Sequence, residues 1–86
     1  IKGGTIALTK YMAAMYGRSG VRVNCIAPGG LEGDQPSRFK EQYNRKVPLG
    51  RMMKQDDLEG PSVFLMSDAS SYLTGVTIPV DGGFTL

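Results

Sequence analysis

Few residues in this sequence have the type and setting to do chemistry. Lys2 stands directly before Gly3-Gly4 at the start of a helical pattern, the one lysine whose backbone surroundings would let another molecule come close. Taken by itself, such a lysine is more simply a solvated helix residue. Pro28-Gly29-Gly30 follows a β-rich run, and ligands of open α/β sheets bind outside the carboxyl ends of strands. Glycines there let backbone approach a flat ligand with no Cβ in the way, although a plain strand-ending turn accounts for them equally well. Asp81-Gly82-Gly83 also follows a strand and reads as a tight turn. Arg38, Lys40, Arg45, Lys46, Arg51 and Lys54 gather in the middle of the chain, interrupted by Glu41. A solvated face is the plain reading of that cluster, and a clamp on an anionic substrate under a lid is the sharper one.

Composition removes other chemistries. The sequence has 86 residues, no histidine and a single cysteine, Cys25. Ser-His-Asp triads, Cys-His pairs, His-based metal sites and multi-cysteine metal centres are therefore excluded within it, and no metal site is expected. Cys25 lies inside a strand-like run and reads as a small buried hydrophobe rather than a nucleophile. A net charge of +2 is too small to imply a nucleic-acid partner. No apolar run approaches the roughly 18 residues of a membrane span, and a free thiol without an export signal favours the cytoplasm. A G-x-G-x-x-G phosphate loop is missing. The chain starts at Ile1, mid-pattern and without methionine, so it is expected to be a piece of something longer.

The elements that must position these residues alternate. From Gly3 to Tyr16, Leu8, Tyr11, Met12 and Met15 recur at helical spacing on one face, while Gly3, Ala7 and Ala14 form a strip of small residues. Gly17 and Gly20 supply the stop. Val21 to Ile26 reads as a strand that Ala27-Pro28-Gly29-Gly30 breaks. Pro36 and Ser37 open a short helix carrying Phe39, Tyr43 and Val47, within a polar connection that runs to Gln55. A connection that long in a small domain is usually a functional lid. Asp56-Asp57 opens an apolar helix with Leu58, Val63, Phe64, Leu65 and Met66 on its buried face, and Pro61 demands a late start or a kink. Ser67 to Ser71 ends it, and Val76 to Val80 is the last strand, with Pro79 at an edge or with its nitrogen turned from the partner. The order helix, strand, lid, helix, strand is an α/β signature.

These runs resemble the short-chain dehydrogenase/reductase family. Lys2-Gly3-Gly4 before Ala7-Leu8-Thr9-Lys10 is similar to the helix of its Tyr-x-x-x-Lys motif. Gly20-Val21-Arg22-Val23-Asn24-Cys25-Ile26-Ala27-Pro28-Gly29 looks like the family's sixth strand and Pro-Gly turn. Val47-Pro48-Leu49-Gly50-Arg51, Asp57-Leu58, Val63-Phe64-Leu65, the run Ser67 to Gly75 and Val80-Asp81-Gly82-Gly83 follow in the family's order.

The resemblance implies the C-terminal part of a Rossmann-type, doubly wound parallel sheet, with residues 1–86 a C-terminal fragment of one NAD(P)-binding domain and 32–55 its substrate lid. It implies an oxidoreductase passing a hydride between NAD or NADP and a small carbonyl or alcohol substrate. Lys2 matches the family's catalytic lysine, which lowers the pKa of a tyrosine four residues earlier and bonds the nicotinamide ribose. Pro28, Gly29, Gly30 and Leu31 match the cofactor-binding turn, Leu31 through its backbone to the carboxamide. Gly33 stands where the family often has a contacting threonine. The resemblance also implies a homodimer or homotetramer, with no nucleic-acid or membrane partner. Lacking the tyrosine, the serine and the phosphate loop, the chain alone is expected to be inactive, and at most an assembly module. Epimerisation or dehydration on the same scaffold is a further expectation that these residues do not separate from hydride transfer.

Overall fold

Two short parallel strands organise the chain. The computed structural model describes residues 2–86, except for the side chain of Lys2. Helix α1 (Lys2–Tyr16) leads through a 3-10 turn (Gly17–Ser19) to strand β1 (Cys25–Pro28). Helices α2 (Ser37–Lys46) and α3 (Glu59–Met66) follow, and strand β2 (Thr77–Val80) closes the order. Strands β1 and β2 pair in parallel with Cys25 opposite Thr77 and Pro28 opposite Val80. A parallel pair needs a crossover, and the segment carrying α2 and α3 provides it. The mixed, parallel α/β class expected from the sequence is the one observed.

Strand β1 starts four residues later than the pattern of Val21 to Ile26 suggests, and the reason is side-chain substitution for the ladder. The Val23 N–H donates to Thr74 Oγ1 at 3.1 Å. Asn24 donates from Nδ2 to the Leu73 carbonyl at 3.1 Å and accepts the Val76 N–H on Oδ1 at 3.0 Å. Regular pairing begins only at Cys25, whose N–H donates to the Val76 carbonyl at 2.8 Å.

The strand also runs on through Pro28 instead of breaking before it. Cys25 and Gly29 donate toward β2, to the Val76 and Val80 carbonyls, so the proline between them has its nitrogen on the far side. The same alternation leaves Pro79 with its nitrogen turned from β1, as expected. Pro61 is equally harmless, because the helix starts late: Gln55–Leu58 is a 3-10 turn, and Pro61 falls in the first turn of α3, where the backbone N–H that proline lacks would have no intrahelical acceptor. Gly20, at φ +80°, takes the left-handed conformation that ends the first helical segment.

Burial departs from the sequence reading. On α1, Leu8, Tyr11 and Met15 are exposed, while Thr9 and Ala13 are buried. These two small side chains, four residues apart, bring the helix close to the strands, and the Gly3, Ala7 and Ala14 strip lies exposed. The backbone at Gly75 packs on the buried Ala13, since a Cβ there would lie 3.4 Å from that of Ala13. On α3, Val63, Phe64 and Met66 are exposed as well, while Leu65 and, in the preceding 3-10 turn, Leu58 are half-buried.

The buried apolar set is Ala13, Val47, Met52 and Met53. A radius of gyration of 15.2 Å exceeds the roughly 12 Å of a close-packed domain of this size. The described residues therefore form an elongated α/β layer with large apolar faces open.

Candidate functional site

The turn after β1 is held from three directions. Gly29 donates its N–H to the Val80 carbonyl at 2.9 Å, fixing the turn to the end of β2. The Gly30 N–H donates to the Tyr43 hydroxyl at 2.7 Å, fixing it to α2. The segment after α2 holds it by a short parallel bridge, in which the Met53 N–H donates to the Gly30 carbonyl at 2.9 Å and Glu32 donates to the Met53 carbonyl at 2.8 Å. Leu31, the bridge residue, keeps its own N–H outside that exchange, and its carbonyl accepts from Gln35 Nε2 at 3.0 Å.

Crowding by protein atoms is one reason that Gly29 and Gly30 are glycines. A Cβ on Gly29 would lie 2.9 Å from the Cα of Asp81, and one on Gly30 would lie 2.6 Å from the ring and hydroxyl of Tyr43. The space that a side chain would need is filled by protein, not left open for a flat ligand. Close packing of three segments thus requires glycine at both positions.

A cleft of about 150 Å³ opens beside the turn, lined by Gly29, Gly30, Tyr43, Arg51, Asp57 and Asp81 among others. It falls short of the ~300–1,000 Å³ of a complete small-molecule site, so it can serve as one wall or a ring-sized subsite only. The turn fits one edge of a nicotinamide: it stands at the carboxyl ends of parallel strands, and Leu31 offers a backbone donor beside an exposed Pro28. Pro28 and Leu31 lie outside the lining of the cleft that Gly29 and Gly30 share. Lys2 opens α1 in the chain order, and its side chain lies outside the described residues.

The electrostatics of the cleft centre on one ion pair. Arg51 donates both arms to Asp57, Nη1 to Oδ2 at 2.8 Å and Nη2 to Oδ1 at 3.0 Å. The Lys54 N–H also donates to Asp57 Oδ2, at 2.8 Å, which caps the turn that leads into α3. These bonds, that from Arg51 first, hold the Asp57 carboxyl at about 2, and the carboxylate in turn raises the Arg51 pKa. Of the basic cluster, Lys40 lies 3.5 Å from Glu32, and Arg38, Arg45 and Lys46 face solvent. Arg45 and Lys46 occupy the last turn of α2, where cations suit the helix dipole.

Sequence reasoning missed Tyr43 as a site residue and Arg51–Asp57 as a pair. Tyr43 was legible only as part of a helical stripe; its ring stacks on Phe39 at 6.2 Å and on Phe84 at 5.4 Å between centroids. Among the described residues no cluster of three or more metal-ligating side chains occurs, and no helix is long and apolar enough to cross a membrane.

Comparison with known proteins adds to this geometry. Residues 1–85 match the family described as enoyl-(acyl carrier protein) reductase. The chain is 41% identical over 88 residues to a 3-oxoacyl-[acyl-carrier-protein] reductase of Chlamydia pneumoniae, covering 98% of this chain and 36% of that protein. It is 34% identical to a meso-2,3-butanediol dehydrogenase of Serratia marcescens, covering 98% and 35%. A crystal structure of a short chain dehydrogenase from Leptospira borgpetersenii with bound NAD+ superposes with a TM-score of 0.96 at 48% identity, covering 99% of this chain and 34% of that one. The chain thus spans about a third of the length of these relatives.

Proposed function

The chain belongs to the short-chain dehydrogenase/reductase family, and on that premise we propose that the protein carrying it transfers a hydride between NAD or NADP and a small carbonyl or alcohol substrate. The observation that carries the proposal is the turn Pro28 to Leu31, pinned at the carboxyl ends of two parallel strands, in a chain that superposes on a structure holding NAD+. The nicotinamide, when bound, supplies the hydride donor or acceptor. The residues of this chain hold and orient: Pro28, Gly29, Gly30 and Leu31 line the nicotinamide edge, Leu31 through its free-standing N–H. Residues 32–55, with α2 at their centre, form the lid over the substrate. Lys2 bonds the nicotinamide ribose and, by its charge, makes the tyrosine of the Tyr-x-x-x-Lys motif a better proton donor and acceptor at its oxygen.

The relatives act on acyl, diol and sugar substrates by their names, so the shared element is the carbonyl–alcohol exchange and not one substrate. Nicotinamide fluorescence titration of the protein carrying this chain tests the reading. Saturable binding of NADH or NADPH is expected, and no binding of either contradicts it.

A second reading concerns assembly. Leu8, Tyr11 and Met15 on α1 and Val63, Phe64 and Met66 on α3 are large apolar side chains open to solvent in this chain. We assign such faces to contact with the remainder of the domain and to a homodimer or homotetramer, the chain alone being catalytically incomplete and at most an assembly module. The unpaired Cys25 thiol supports a cytoplasmic setting. Light scattering reads the assembly directly, and a strictly monomeric protein contradicts that part.

A further inference from the structure

The bond between Tyr43 and Gly30 joins two parts of the site that the reading above keeps separate. Gly30 belongs to the turn beside the nicotinamide, and Tyr43 belongs to α2, the helix of the lid. They meet at 2.7 Å through a backbone donor and a hydroxyl acceptor, in a part-buried setting. The fit is tight, since a single methyl on Gly30 would collide with the Tyr43 ring at 2.6 Å. Behind the hydroxyl, the ring is clamped between Phe39 of α2 and Phe84 of the C-terminal tail, with interplanar angles of 26° and 14°. Aromatic stacking of this kind fixes the ring plane, so the hydroxyl has little freedom to follow the turn if the helix moves.

We propose that Tyr43 is a positioning residue that couples the lid helix to the cofactor turn, so that the seat of α2 sets the placement of the Gly30–Leu31 backbone against the nicotinamide. The inference rests on the proposed NAD(P) binding and deepens it. Among the described residues, the other polar ties of the turn run to the end of β2, to Met53 and to Gln35, and the Tyr43 hydroxyl is the group of α2 that bonds to it. Removal of the hydroxyl leaves the Gly30 N–H without its acceptor while the stacked ring stays, which separates positioning from packing.

The test uses the protein carrying this chain, with NADH and NADPH as probes. Tyr43→Phe is expected to weaken binding of the preferred cofactor about fivefold to tenfold, the loss that one unmade hydrogen bond predicts, with the melting temperature held within a few degrees. Gly30→Ala should weaken it by more. In a Tyr43→Ala background the same Gly30→Ala change should cost less than about twofold, because the added methyl no longer meets the ring. Unchanged cofactor affinity in Tyr43→Phe overturns the coupling, as does additivity of the Gly30→Ala and Tyr43→Ala effects. Should Tyr43→Phe fail to fold, the Gly30→Ala cycle decides alone. Wild-type protein that binds neither cofactor overturns the underlying reading and this inference together, whereas intact wild-type binding with an indifferent Tyr43→Phe overturns this inference only.

Discussion

Arg22 donates from one guanidinium nitrogen to both the carbonyl of Ser70, at 2.7 Å, and its hydroxyl, at 3.0 Å, across 48 residues of sequence. The same side chain reaches the carbonyls of Leu65 at 3.1 Å, Ser67 at 3.3 Å and Leu73 at 3.2 Å. These carbonyls lie at and just beyond the ends of α3 and the 3-10 turn Asp68–Ser70, where a distant cation adds to their local bonds at the negative end of a helix dipole. Ser70 is buried at 2% exposure, which makes water a poor substitute. The parallel crossover is thereby tied back to the approach to β1.

Arg22→Ala should therefore destabilise the protein by about 2–3 kcal/mol, the cost of losing several bonds from one charged donor. Arg22→Lys should recover only part of this, because an ammonium cannot span the same fork of acceptors. Urea unfolding midpoints of the two variants check both statements.

The Arg51–Asp57 pair fixes the sign of an acid dependence. The Asp57 pKa is held at about 2 in the folded chain against an ordinary value near 4. A depressed carboxyl stabilises the fold at any pH above its ordinary value, and that contribution fades as pH falls from about 4 toward 2. The pair is solvent-exposed, so salt should weaken it. Unfolding midpoints measured from pH 6 to pH 2 should fall less steeply in Asp57→Asn than in the parent, and less steeply in molar salt than without it.

Gly29→Ala should destabilise by about 1–3 kcal/mol, since the new methyl would sit 2.9 Å from the backbone of Asp81 and neither strand end can yield cheaply. The displacement would also disturb Asp81, which accepts from the Gly83 N–H at 3.0 Å and the Thr85 hydroxyl at 2.8 Å. Thermal unfolding gives the comparison, and an unperturbed midpoint would contradict this crowding.

The element order was legible in the sequence because periodicity and breakers agree: Gly20, Pro28, Pro36 and Ser67 each stand where an element starts, ends or is capped. Burial was less legible. An apolar stripe such as Leu8, Tyr11 and Met15 states what a helix could bury, but the strands approach α1 on Thr9 and Ala13, where small side chains permit it. The start of β1 was hidden for a related reason, since Asn24 imitates a strand partner with its side-chain amide and no alternation of apolar residues reveals that. Arg22 and Asn24 did leave a trace, as polar residues alternating with Val21 and Val23. The location of the turn was legible and the crowding around its glycines was not, because the atoms that crowd them, in Tyr43 and Asp81, arrive from distant sequence.

The central claim is hydride transfer assisted by the lysine that opens α1. The direct measurement is the single-turnover rate of nicotinamide oxidation or reduction by the protein carrying this chain, compared with its Lys2→Ala variant at saturating cofactor. A loss of about a hundredfold or more is expected, the scale of positioned acid–base assistance. Turnover in Lys2→Ala equal to that of the parent would contradict the account.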